Sequence, residues 1–299
     1  MTIEPFAIDM DSDGIATMRL SQSDRPIVVL DHVLLRRIEV TLAALPKGIR
    51  GFILASASER VFVAGADLRT IADWSDEQLH RYLAFGSEVY LTLATLPCPT
   101  VAAINGAALG GGLELPMHCD GMIASRAPSP DKPYPVGLPE AGLCICPGWG
   151  GTNLLPMWVK PEAIPDAIVR TCTGKPYLID QAIAAGLFDH VVDSAADLIP
   201  ACKAWLKSRP ANAANTRELW ERHTASRAAA INALDFVRND SHLLPATDES
   251  RACVAALDIG LTQGYLAALA SERDSLVKLR HTPRAKDAFA AFFAKSARK

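Results

Sequence analysis

The sequence predicts an α/β fold that passes into an all-helical C-terminal region. Three observations predict it. Strand-like and helix-like stretches alternate from the N-terminus to about Pro200. Beyond Pro200 the chain is rich in Ala, Leu, Arg and Glu and has no strand-like run. The 299 residues are 49% hydrophobic and 21% charged, ordinary globular values. A chain of this length hides roughly three quarters of its extended surface on folding, so a large core needs no staples.

The elements follow in order. Gly14–Leu20 alternates apolar and polar, as a strand does. Leu34–Leu45 carries apolar residues at helical spacing, and Ile49–Leu54 reads as a short buried strand. Ser75 opens a helix that runs toward Leu96, where Pro97-Cys98-Pro99 stops it. Thr100–Ile104 is the next strand, turning at Asn105-Gly106. Met122–Ala124 and Val191-Val192 are further strands. Helices are expected over Ala201–Leu206, Asn215–Val237, Glu249–Leu279 and Pro283–Ala297. The division expected is a core over residues 1–200 and a helical module over 201–299.

Charge and cysteine usage exclude several classes. The net charge is −3, with no basic excess that would point to nucleic acid. No apolar run is long enough to span a bilayer. The acidic N-terminus, with Glu4, Asp9, Asp11 and Asp13, is unlike a signal or transit peptide. Seven scattered cysteines without a C-x-x-C argue for reduced thiols and a cytoplasmic location, and against a disulfide framework or zinc ribbon.

Three clusters carry candidate chemistry. Glycine is concentrated in Asn105-Gly-Ala-Ala-Leu-Gly-Gly-Gly-Leu-Glu114, after a strand and at a helix start. Backbone N–H groups are free at such a place. Taken alone, the glycines equally fit a tight packing turn. No Walker loop or dinucleotide fingerprint is present. The second cluster is Phe62–Leu68, a strand ending in a small-residue turn with Asp67 as an N-cap. The third is Gly137-Leu138-Pro139-Glu140 followed by Pro147-Gly148-Trp149-Gly150-Gly151-Thr152. Glu114 and His118 have a spacing that metal ligands use, but no third ligand is evident, so no metal is expected and His118 reads as a packing or partner-facing residue. A Gly-x-Ser-x-Gly elbow is absent.

Together these clusters resemble the crotonase superfamily, the enoyl-CoA hydratases and isomerases. The Ala64-Gly65-Ala66-Asp67 turn, the Asn105–Leu115 segment with Cys119-Asp120 after it, Gly137–Glu140 and Pro147–Thr152 each match that family's pattern. Thr171–Val192 is similar to its following helix and strand, and Lys286–Phe293 to its C-terminal helix. The resemblance implies a crotonase-like spiral of ββα units and an acyl-CoA thioester substrate. Coenzyme A would be part of that substrate, with no separate cofactor. It implies an oxyanion hole from the amides of Ala66 and Gly111, and a catalytic pair Glu114 and Glu140. Ala64, Gly65, Asp67, Leu68, Gly110, Pro139 and Gly148 would contact substrate. Family members that only isomerise or hydrolyse commonly lack one acid of the pair, so both together favour hydration. An isomerase, another acyl-CoA enzyme of the fold, and a catalytically silent acyl-CoA-binding scaffold are the alternatives. A homotrimer or dimer of trimers is implied, with the helical module serving trimerisation and site closure.

The departures from the family pattern carry expectations of their own. Asp24–Leu30 lacks the usual Asn-Ala-Leu. Ala127–Tyr134 looks like an insertion that spreads the two acids apart. Cys144 stands where Gly is common, which would narrow the acyl pocket. Pro116 would make the helix after the glycines begin late or kink. Leu244–Leu279, above all Gln263–Leu266, is similar to the linker helix of multifunctional β-oxidation subunits, yet no dehydrogenase domain follows, so a stand-alone protein is expected. Lys278, Arg280, Lys286, Lys295 and Arg298 are candidates to meet the nucleotide end of CoA, or else form a solvated helical face.

Overall fold

A computed structural model describes residues 3–210 and 227–296, apart from residues 24, 26, 130 and 241. Strand β1 (Ile8–Met10) pairs antiparallel with β2 (Ile15–Leu20), and helix α1 (His32–Ala43) follows. Asp31 caps α1 by accepting from Leu34 N. Three strand–strand–helix units come next. The first is β3 (Gly51–Ser56), β4 (Val61–Val63) and helices α2 (Leu68–Asp73) and α3 (Asp76–Ala94). The second is β5 (Thr100–Ile104), β6 (Ala107–Leu109) and α4 (Gly111–Glu114). The third is β7 (Gly121–Ser125), β8 (Pro135–Gly137), a 3-10 turn at Glu140–Leu143, α5 (Gly151–Trp158) and α6 (Ile164–Thr173). Then come β9 (Tyr177–Leu178), α7 (Ile179–Ala184), β10 (His190–Val192) and α8 (Leu198–Lys207). The tail holds α9 (Arg227–Asn239), α10 (Asp248–Gln263), α11 (Tyr265–Leu279) and α12 (Pro283–Ser296).

In each unit the first strand joins a six-stranded sheet, ordered β1-β2-β3-β5-β7-β10, and the second a four-stranded sheet, ordered β4-β6-β8-β9. This is the expected spiral of ββα units. The inner strands β3, β5 and β7 are parallel and buried throughout, which explains their continuous apolar sequences. Side chains alternate between faces. Phe52, Leu54, Ala102 and Ile104 enter the main core. Ile53, Ala55, Val101 and Ala103 face α8 through Leu198, Cys202 and Leu206. The main core also includes residues of α9, α10, α11 and α12.

Several expectations change. Glu249–Leu279 is two helices, because Gly264 takes φ 101° between α10 and α11. Pro116 neither delays nor kinks a long helix. The glycine-rich helix lasts one turn, and Pro116 opens a separate 3-10 turn, where its missing N–H costs nothing. The segments around β6 and β8 pair as three-residue strands. Of the predicted helix Asn215–Val237, residues 215–226 lie outside the described residues, as does Arg298.

Candidate active site

A cavity of about 640 Å³ opens beside the four-stranded sheet. Its walls come from the turn after β4, the start of α4, the 3-10 turn at Glu140, the loop before α5, and the tail helices α11 and α12. Glu114, Glu140, Ala66, Gly111, Ala64, Gly65, Asp67, Leu68, Gly110, Pro139 and Gly148 all line it. Sequence positions from residue 64 to residue 148 thus meet in one space. Arg25, Ile27 and Val29 line it as well, although their segment lacks the usual motif.

Two backbone donors face this space without internal partners. Ala66 forms an isolated parallel bridge with Leu30, made by Leu30 N to Gly65 O and Asp67 N to Leu30 O. That pattern leaves the Ala66 amide unused. Gly111 is the first residue of α4, so its N–H has no carbonyl one turn earlier. Among the described residues neither amide donates a hydrogen bond. Small residues are required here: a Cβ on Gly111 would lie 2.4 Å from the Trp149 ring. Trp149 is itself held by Nε1 donating to Leu83 O, by an edge contact with Tyr82 and by a tilted ring contact with Tyr90.

The two acids differ in their surroundings. Glu114 is 1% exposed. Its Oε1 accepts from Trp149 N and Gly151 N, each at 2.8 Å, and its Oε2 accepts from no described residue. Glu140 Oε2 is buried and has no hydrogen-bond partner among the described residues. Burial pushes the Glu140 carboxyl up to about 8, and repulsion from Glu272 adds to it. Burial also raises Glu114 well above the usual glutamate range, helped by Glu272 and Glu140, while the Gly151 and Trp149 amides oppose the rise. The site therefore retains protons near neutral pH. The Trp149 and Gly151 amides favour the ionised form of Glu114 and Glu140's own backbone amide favours that of Glu140, while Glu140 Oε2 accepts from no described residue.

Sequence reasoning missed Glu272. It is fully buried on α11, and burial raises its carboxyl to about 7. A signal existed: Leu269, Glu272 and Leu276 fall on one helical stripe, so an acid interrupts an apolar face. His118 is also buried rather than partner-facing. Its Nδ1 lies 2.8 Å from Glu114 O and its Nε2 2.9 Å from the Tyr265 hydroxyl. A carbonyl only accepts, so Nδ1 carries a proton. Both ring nitrogens serve the fold.

Cys144 and Arg280 stand differently from expectation, while Asp67 is the expected N-cap of α2. Cys144 does not line the cavity; Leu143 and Ile145 do. It occupies the left-handed region at φ 60°, ψ 30° as the cap of the 3-10 turn, a conformation that favours Gly. Asp67 lines the cavity, but Arg25 holds its carboxylate at 3.2 Å and Arg69 N takes its other oxygen. Arg280 is buried and bonds Ile71 O and Asp76, so it is not available to CoA.

A profile described as enoyl-CoA hydratase/isomerase matches residues 13–256. The chain belongs to that family. An enoyl-CoA hydratase from Bacillus anthracis is similar at 25% identity, with 98% of this chain and 97% of that chain covered and a TM-score of 0.61. DspI from Pseudomonas aeruginosa is 25% identical over 70% of this chain and 83% of that one, again with a TM-score of 0.61. Human mitochondrial delta3-delta2-enoyl-CoA isomerase, at 19% identity, shares the fold with a TM-score of 0.64 and 99% of each chain covered. As a member of the hydratase/isomerase family the chain is of an enzyme class that processes CoA thioesters. Among the described residues no group of three or more His, Cys, Asp or Glu could hold a metal ion, and no helix is long and apolar enough to cross a membrane.

Proposed function

We propose that this protein is an enoyl-CoA hydratase that adds water across the double bond of a 2-enoyl-CoA. The observation that carries the reading is the meeting of the buried Glu114 and the half-buried Glu140, two carboxylates of unlike environment, with two unused backbone amides in one largely apolar cavity. The thioester oxygen gains negative charge as the α-carbon becomes enolate-like. The Ala66 and Gly111 amides hold that oxygen, each such donor contributing about 3 kcal/mol at a developing oxyanion. Glu114, with Oε2 left for water, takes a proton from the water whose oxygen bonds to the β-carbon. Glu140 delivers its proton to the α-carbon. The sum is addition of H and OH, and proton exchange between the acids resets the site. Ala64, Gly65, Asp67, Leu68, Gly110, Pro139 and Gly148 form the walls that orient the substrate. The only coenzyme is the CoA moiety of the substrate itself.

The test follows crotonyl-CoA by loss of its conjugated absorbance. Glu114→Gln and Glu140→Gln should each lower turnover by about a hundredfold or more, while a CoA ester still binds. Near-wild-type turnover in either variant overturns the two-acid assignment. A protein that moves the double bond of a 3-enoyl-CoA but does not hydrate crotonyl-CoA is an isomerase. One that binds acyl-CoA and turns over neither is a scaffold.

A further inference from the structure

Four consecutive amides precede and open α5, and two buried carboxylates divide them alternately. Trp149 N and Gly151 N donate to Glu114 Oε1, each at 2.8 Å. Gly150 N donates to Glu272 Oε2 at 2.6 Å, and Thr152 N to Glu272 Oε1 at 2.9 Å. The Thr152 hydroxyl also donates to Glu272 Oε1. Asn153 Nδ2 in turn donates to that hydroxyl oxygen and to Ala256 O on α10. The turn that supplies the donors to Glu114 is thus held from behind by the tail.

Gly150, the N-cap of α5, has no side chain to cap the helix. Packing alone would be met by a neutral cap, and a fully buried carboxylate is costly unless its hydrogen bonds are complete. Glu272 has that complement, from three donors on one turn. The same helix reaches Glu114 from the other side, because Tyr265 at the start of α11 meets His118, whose Nδ1 bonds Glu114 O. The turn packs closely against α11: a Cβ on Gly150, which sits at φ 100°, would lie 1.8 Å from the Tyr265 hydroxyl.

We propose that Glu272 is a positioning residue for Glu114: it fixes the Gly150–Thr152 turn so that the Trp149 and Gly151 amides converge on one oxygen of the Glu114 carboxylate and leave the other for water. The proposal rests on the reading of Glu114 as the water-activating group. Glu272 itself does not line the cavity.

A double-mutant comparison tests it, with crotonyl-CoA as substrate and the folded fraction measured by thermal melting under assay conditions. Glu272→Gln keeps the volume but sets an amide nitrogen against backbone donors. It should lower kcat on the order of ten- to a hundredfold through misplacement of Glu114, with KM held within about twofold. In a Glu114→Gln background the same change should alter kcat by less than about twofold, because the group it acts through is gone. Glu272→Asp, which retains charge and acceptors, should recover part of the lost kcat. If Glu272→Gln does not fold, Glu272→Asp carries the same comparison. An equal loss in both backgrounds, or an unchanged kcat in the single variant, overturns the proposal. A Glu114→Gln protein with wild-type turnover overturns instead the reading of Glu114 on which the proposal stands.

Discussion

Gly110 and Glu140 approach so closely that a Cβ on Gly110 would lie 2.3 Å from Glu140 Oε1. Gly110 also holds φ 54°, ψ −129°, outside the regions that L-residues favour. The glycine run before α4 therefore does two things at once. It turns the chain from β6 into α4, and it leaves the volume that the Glu140 carboxylate fills.

Gly110→Ala should accordingly strain the backbone and displace Glu140 together. The expected result is a stability loss of about 1–3 kcal/mol and a fall in kcat of about tenfold or more. Denaturant melts and crotonyl-CoA kinetics check both. A variant with wild-type kinetics would mean that Glu140 need not hold this position.

The raised carboxyl of Glu140 has kinetic and thermodynamic consequences with defined signs. In the proposed role of proton donor it must be protonated, so kcat/KM should fall as pH rises through about 8. The folded chain binds this proton more tightly than the unfolded chain, where glutamate titrates near 4.5. The associated stability is complete below that value and is lost as pH rises through about 8. Glu140→Gln cannot ionise. Its melting temperature relative to wild type should therefore rise steadily from acidic pH and level off above about 8. A pH-independent difference would show that Glu140 is not held protonated.

Ala66→Pro removes one amide donor that makes no internal hydrogen bond among the described residues. Turnover should fall about a hundredfold or more, with circular dichroism largely unchanged. Unchanged turnover would place the thioester carbonyl elsewhere.

Truncation after Thr282 removes α12, whose Phe292, Phe293 and Ser296 line the cavity and whose Phe289 is buried. The KM for acyl-CoA should rise, and loss of the buried Phe289 should cost about 2 kcal/mol or more of stability. Apolar cover is insensitive to salt, so the KM difference should persist at high ionic strength. A difference that vanishes with salt would assign the effect to the exposed Lys286 and Lys295.

Much was legible in the sequence because the signals are local. The alternating run became β2, the short continuous apolar runs became β3, β5 and β7, and Ser75 became the N-cap of α3 with a capping box to Gln78. Glycines next to apolar runs marked the places where the backbone meets the cavity, and all eleven candidate site residues line it. The three-residue strands β6 and β8 were not legible, since three residues show no period. The break at Gly264 was hidden inside an otherwise continuous helical pattern.

By itself, then, the sequence determined the α/β class, from patterns within a few neighbouring positions, and the family resemblance, from separate clusters taken together; that resemblance in turn implied eleven of the residues around the cavity. Only the tertiary structure decided which groups share a charge environment. Glu272 meets the turn at Gly150–Thr152 from far along the chain, Arg280 turns inward to Asp76 and Ile71, and Glu140 keeps an unpartnered oxygen beside Gly110. The physical reason is that burial and Coulomb repulsion act through space at a few ångströms, whatever the separation along the chain.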